Sequence, residues 1–180
     1  MKFISGHKEA EMQLKKWAVT RTPVVARFSF WKPGKPLQKN LQGLIKPLVH
    51  SILSALPGLI PTAFPQYWDP LSPSQLQKDQ KVPYDAVLLA FNRLVDSEAG
   101  MRDHCLCLFI DSLDEFGDPE EHHAMLAERL HNWTDVNRDG LKVCILSREE
   151  NSFLYQFSQQ QRLRLHFLTE GISRRWRKAP

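Results

Sequence analysis

Cys105-Leu-Cys-Leu-Phe-Ile-Asp-Ser-Leu-Asp-Glu-Phe116 is the stretch whose reading decides the fold. Six apolar residues run without interruption and end in three carboxylates, Asp111, Asp114 and Glu115. An apolar run with no polar alternation suits a strand buried on both faces, as in a parallel sheet covered by helices. Carboxylates just past such a strand fall at its carboxyl end, where open α/β sheets hold their ligands. The plainer alternative is a buried strand followed by a polar loop.

Three more stretches read as strands: 24–31, rich in β-branched and aromatic residues, 141–147, and 163–168, where Leu163, Leu165 and Phe167 alternate with polar residues. Helical periodicity fills the intervals. It is clearest over 37–56, where Leu37, Leu41, Leu44, Ile45, Leu48, Val49, Ile52, Leu53 and Leu56 recur at spacings of three and four. Residues 2–19, the run from Tyr84 to Val95, and a short segment around Phe153 and Phe157 also read as helices. Asp118-Pro119 reads as an N-cap with proline at the first helical position, opening a helix that carries Met125, Leu126, Leu130 and Trp133. Residues 57–82 are rich in proline and read as an irregular surface connection within one domain. Strands alternating with helices predict an α/β fold with a mostly parallel sheet and right-handed crossovers.

The 180 residues suffice for one domain with a substantial core. The net charge is +4, and Arg174, Arg175, Arg177 and Lys178 supply four positive charges in the last seven residues. Removing them leaves a neutral body, so the excess belongs to a tail, and no nucleic-acid partner is expected. A nucleic-acid reading through that tail remains the alternative, and it would show as salt-dependent binding lost on deleting 174–180. No apolar run reaches the roughly 18 residues of a membrane span, and the start is too short in apolar residues for a secretory signal. Cys105, Cys107 and Cys144 lie in apolar runs and read as buried reduced thiols of a cytoplasmic protein. A metal site from His104, Cys105 and Cys107 runs against the spacings zinc prefers.

Read together, Phe28-Ser-Phe-Trp31 followed by Gly34, Leu108-Phe-Ile-Asp-Ser-Leu-Asp-Glu-Phe116, Lys142-Val-Cys-Ile-Leu-Ser-Arg148 and Leu163-Arg-Leu-His-Phe-Leu-Thr169 stand in a specific order. In that order the chain resembles the NACHT-type P-loop nucleotide triphosphatases, of the fungal signal-transducing and nephrocystin-3-like N-terminal kind, over nearly its whole length. The resemblance implies a three-layer α/β/α P-loop NTPase-like fold (the ASCE/STAND class), incomplete because the first strand and P-loop are missing. Residues 1–173 would be the partial NTPase domain and 174–180 a basic tail. Asp111 would match the Walker B aspartate that holds Mg²⁺. Asp114 and Glu115 would match the acidic pair that positions or deprotonates the attacking water. Arg148 would match the arginine that senses the γ-phosphate. Physically, a cation and a guanidinium stabilise charge on the transferring phosphoryl group while a carboxylate orients the nucleophile. Arg148 could instead simply pair with Glu115, Glu149 or Glu150.

Two departures bear on activity. The family's phosphate cradle, Gly-x-x-x-x-Gly-Lys-Ser/Thr, does not occur in these residues. Gly34-Lys35 is a decoy, because Ser29 stands where the first glycine should be and Pro36 where the Mg²⁺-binding hydroxyl should be. The chain reads as beginning just inside the helix that the P-loop opens, and the helical and winged-helix regions of the family do not follow. The expectation is a truncated ATP/ADP and Mg²⁺ switch domain of the kind used in self/non-self recognition and heterokaryon incompatibility, inactive by itself. A missing central strand also predicts self-association, or docking on a full-length relative. The alternatives are a non-catalytic protein-interaction module, with Trp68, Trp133 and Trp176 as exposed anchors, and a gene fragment without function.

Overall fold

The computed structural model describes residues 2–68, 81–97, 102–118 and 121–158. Strand 163–168, Trp176 and the tail 174–180 lie outside the described residues.

The run Cys105–Ile110 forms the middle strand of a parallel sheet. Among the described residues three strands, β1 (Thr22–Ser29), β2 (His104–Asp111) and β3 (Leu141–Ile145), stand in the order β1-β2-β3. The register pairs Ser29 with Asp111, and Leu106 with Leu141. Helices α1 (Lys2–Ser5) and α2 (Lys8–Ala18) precede β1; α3 (Leu41–Ala55), α4 (Ile60–Ala63) and α5 (Tyr84–Asp96) lie between β1 and β2; α6 (His123–Val136) links β2 to β3; α7 (Asn151–Gln156) follows β3. The fold is therefore α/β with parallel strands and helical crossovers.

Side chains alternate across the strands, and the two faces differ. Val24, Ala26, Leu106, Leu108, Ile110 and Leu141 join Leu44, Leu48 and Ile52 of α3, Phe91 and Leu94 of α5, and Leu126 and Leu130 of α6 in one buried core. The opposite face carries Cys105, Cys107, Phe109, Lys142 and Cys144. It meets the first two helices. The Lys142 ammonium lies 5.0 Å from the centre of the Trp17 ring of α2, and the Arg27 guanidinium donates to Ser5 Oγ and to the Ser5 carbonyl at the end of α1. Helices thus cover the sheet from both sides.

Several elements differ from the sequence reading. Residues 2–19 are two helices, broken at Gly6-His7, where His7 caps α2 by accepting from Glu9 N–H at 3.2 Å. The first strand starts two residues early and ends at Ser29, with Pro23 admitted because β1 lies at an edge of the three-strand sheet. The long helix begins at Leu41, not at 37. Pro36–Gln38 form a 3₁₀ turn, Leu37 is exposed, and Asn40 takes over as cap by accepting from Gly43 N–H at 2.9 Å. The helix after β2 begins at His123, and Asp118 does not cap it. Its Oδ2 accepts from Leu41 N–H at 3.2 Å, supplementing the cap of α3 instead. Trp133 is no exposed anchor, being 7% exposed and packed on Phe91 with ring centres 4.6 Å apart; Trp68 is exposed. Cys105 and Cys107 are buried, whereas Cys144 is only half-buried, because β3 ends at Ile145 and its side chains from Val143 onward are half-covered.

Among the described residues β3 pairs only with β2. Leu106 N–H donates to the Gly140 carbonyl and Leu146 N–H to the Ile110 carbonyl. In a parallel ladder this parity turns the amides of 142 and 144 toward β2 and those of Val143 and Ile145 toward the opposite edge.

No single helix among the described residues is long and apolar enough to cross a membrane. The bent pair Leu41–Ala55 and Pro57–Ala63 passes by composition, but its first member supplies the core.

Candidate functional site

The carboxyl ends of all three strands converge on the turn that follows β2. Ser112, directly after Asp111, sits in the left-handed region at φ 54° and ψ 46°. A non-glycine residue there is uncommon and costs about 1 kcal/mol. It bends the chain sharply out of the strand, and Leu113–Glu115 then make a single 3₁₀ turn. That turn is anchored from below: Leu113 is fully buried, and its N–H donates to the Leu146 carbonyl at 3.1 Å. Phe116 closes the turn, packing edge-on against Phe30 with ring centres 5.5 Å apart.

With the turn so fixed, its two acids reach in opposite directions. Glu115 reaches β1: its Oε2 accepts from Lys32 N–H at 2.9 Å. Asp114 reaches β3: its Oδ1 accepts from Arg148 N–H at 3.0 Å and lies 3.4 Å from Ser147 Oγ, whose proton has a nearer acceptor in the Arg148 carbonyl at 2.8 Å, and its Oδ2 lies 3.6 Å from Arg148 Nε. Asp111, half-buried and opposite Ser29, receives Ser112 N–H on its Oδ1 at 2.9 Å, and its carbonyl accepts from Phe30 N–H. Bonds from backbone amides to carboxylates are charge-assisted and strong, so the acidic turn ties together the three strand ends.

Lys32, Pro33, Asp114, Glu115, Arg148 and Glu150 line a solvent-open cleft of about 450 Å³. The structure thus brings Asp114, Glu115 and Arg148 to one cleft, Glu115 from the β1 side and Asp114 and Arg148 from the β3 side. Asp111 sits at the strand end and does not line the cleft. Lys32 is an addition. The only sequence signal for it is its place at the end of Phe28-Ser-Phe-Trp31, in the turn that leaves the aromatic strand. Among the described residues no group of three or more His, Cys, Asp or Glu could hold a metal ion unaided. Mg²⁺ suits such a place only when phosphate oxygens and water complete its octahedron around one or two carboxylates, and Asp111 can supply one of these.

Gly34-Lys35 holds no phosphate cradle. Gly34 N–H donates to the Trp31 carbonyl at 3.0 Å, and Lys35 N–H is taken by Gln38 Oε1 at 2.9 Å. The amides a phosphate needs are used within the turn.

The three strands and the acidic turn all fall within the span of one matched family model. The Nephrocystin 3, N-terminal model matches residues 9–148. The chain belongs to that family. The matched span runs from α2 to Arg148, and so takes in every residue that lines the cleft but Glu150. No curated protein and no solved structure matches the chain.

Proposed function

We propose that this nephrocystin-3-type chain is the Walker B half of a NACHT-type nucleotide switch, which handles Mg²⁺-ATP and Mg²⁺-ADP together with a P-loop supplied from outside these 180 residues. The observation that carries the reading is the convergence of Asp111, Asp114, Glu115 and Arg148 at the carboxyl ends of adjacent parallel strands, the ligand end of an open α/β sheet. Asp111 would hold Mg²⁺ jointly with phosphate oxygens. When bound, Mg²⁺ offsets the negative charge that develops on the phosphoryl oxygens. Arg148, whose side chain is exposed and reaches over the cleft, presents a guanidinium to a terminal phosphate. Glu115 stands on the opposite wall and can accept a proton or a hydrogen bond from water. Without a phosphate cradle, positioning and electrostatic stabilisation are both reduced, so these residues alone bind ATP weakly.

The test is a calorimetric titration with Mg²⁺-ATP of the 180-residue chain and of the same chain preceded by a strand and P-loop from a family member. The extended chain is expected to bind at micromolar concentration and the shorter one to show no binding below millimolar. In the extended chain, Asp111→Asn should weaken binding, whereas Glu115→Gln should spare it and slow turnover, since a water-orienting group acts in the transition state. Failure of the extended chain to bind, or equal and negligible effects of both substitutions, would overturn the proposal.

A further inference from the structure

Asp114 and Glu115 are adjacent acids, and their surroundings divide them. The Asp114 side chain is 11% exposed, and both its oxygens are engaged by the segment that ends β3. One oxygen takes the Arg148 backbone N–H, with the Ser147 hydroxyl 3.4 Å away and turned toward the nearer Arg148 carbonyl at 2.8 Å; the other faces the Arg148 guanidinium. These legs are unequal. The backbone leg, at 3.0 Å, runs from an amide to a carboxylate that is almost out of water. The guanidinium leg is 3.6 Å long, and its arginine side chain is 87% exposed, a geometry in which an ion pair contributes little. The guanidinium can therefore swing away while the backbone stays anchored.

We propose that Asp114 is a positioning residue rather than the water-orienting acid. It latches the Ser147-Arg148 backbone to the turn after β2, and it holds the Arg148 guanidinium in reserve until a stronger anion, the terminal phosphate of a nucleoside triphosphate, takes it. The water-orienting task then falls to Glu115 alone. The nucleotide part of this inference rests on the function proposed above; the latch itself does not.

The test separates the two. Amide hydrogen exchange at Arg148 is measured on the full chain as wild type, Asp114→Ala, Asp114→Asn and Ser147→Ala, with thermal unfolding of each as a check on global stability. Asn retains a carbonyl acceptor for the amide, so Asp114→Asn should keep most of the protection. Asp114→Ala should speed exchange about tenfold or more, the factor expected when a buried hydrogen bond to a charged group is removed. Ser147→Ala should change it less. Exchange in Asp114→Ala equal to that of the wild type, at equal global stability, overturns the latch.

In the P-loop-bearing chain, Asp114→Asn should tighten Mg²⁺-ATP roughly two- to five-fold, the worth of an exposed ion pair that no longer competes, and should slow turnover less than Glu115→Gln does. Asp114→Ala should weaken ATP more than ADP, and Arg148→Ala should abolish the difference between the Asp114 variants. An Asp114→Asn protein that binds normally but does not turn over identifies Asp114 as the water-orienting acid and overturns the assignment. If the exchange result holds and no variant binds nucleotide, the latch stands and the nucleotide reading falls.

Discussion

Replacing Gly43 by alanine should destabilise the protein, against the usual direction for a helical glycine. Gly43 lies in the first turn of α3, and alanine in a helix is ordinarily favoured over glycine by about 1 kcal/mol. Here a Cβ would be driven into the carbonyl group of Leu37, well inside van der Waals contact, with the Leu37 Cα also close. What it meets is backbone, so no side-chain rotation relieves it. Either the 3₁₀ turn Pro36–Gln38 shifts outward or the Asn40 cap opens, and the Gly43 N–H it satisfies is then lost. Overpacking of this kind costs typically 1–3 kcal/mol, and a lost cap about 1 kcal/mol. Offset by the helical preference, a net loss of about 1–3 kcal/mol remains. For a chain of this length that lowers Tm by roughly 2–12 °C. Gly58 is the internal control, since a Cβ there meets nothing within 4 Å; Gly58→Ala should be neutral or stabilise by up to about 1 kcal/mol. Urea denaturation of the three proteins, followed by circular dichroism, measures both. A Gly43→Ala protein as stable as wild type would show that the close approach of α3 to the Leu37 backbone is not a constraint, and would refute the reasoning.

Leu48 is fully buried between sheet and helices, so Leu48→Ala should cost roughly 2–5 kcal/mol; a loss under about half a kcal/mol in the same assay would place that face of α3 outside the core. Val19 follows α2 at φ 59° and is 81% exposed, so Val19→Gly removes backbone strain without losing packing and should raise stability by about 1 kcal/mol, read as a higher urea midpoint. Burial pushes the Cys107 thiol up to about 12, with the nearby Cys144 adding to the shift, and lifts the Tyr84 hydroxyl to about 12 as well. Both groups are largely neutral in either state below about pH 8. Above that the unfolded chain gives up its protons first, Cys107 at about pH 8.5 and Tyr84 at about pH 10, so stability should fall between about pH 8 and 12. Denaturation midpoints that stay flat across that window would contradict the burial of these groups. Native Cys107 should correspondingly react slowly with a thiol reagent at pH 8, becoming fast only on unfolding.

What could be read from the sequence and what could not divide along a physical line. Cys105–Ile110 was legible as a strand because its burial is a property of the run itself: nothing in it alternates, so it had to be covered on both faces. The core face of α3 was legible for the same reason, its period being carried by Leu41, Leu44, Ile45, Leu48 and Ile52, all of them buried. Boundaries were less legible because they depend on which polar group captures a free amide. Leu37 fits the helical period, yet the proline at 36 and the asparagine at 40 make a 3₁₀ turn and a cap that delay the helix by four residues. Trp133 could have been read as buried, since it follows Leu126 and Leu130 at successive spacings of four and three on one helical face, whereas Trp68 lies in the proline-rich connection.

The candidate site shows the same division more sharply. That Asp111, Asp114, Glu115 and Arg148 share one end of the sheet follows from the strands being parallel, which the alternation of strands and helices predicts. Their separate tasks do not follow, because they depend on amides from distant residues. Asp118 illustrates the principle away from the site: beside Pro119 it carries every local mark of a helix cap, yet its carboxylate takes the Leu41 amide of a helix that begins 77 residues earlier. Asp114 does likewise with Arg148, 34 residues on, and Glu115 with Lys32, 83 residues back. A short acid in a tight turn binds whichever unsatisfied N–H the fold brings within 3 Å or so, since leaving that group bare costs about 1–3 kcal/mol. Two adjacent carboxylates that look interchangeable in sequence are thereby committed to different strands. A substitution that moves β1 relative to β2 should therefore disturb Glu115 first, and one that moves β3 should disturb Asp114 and Arg148 together.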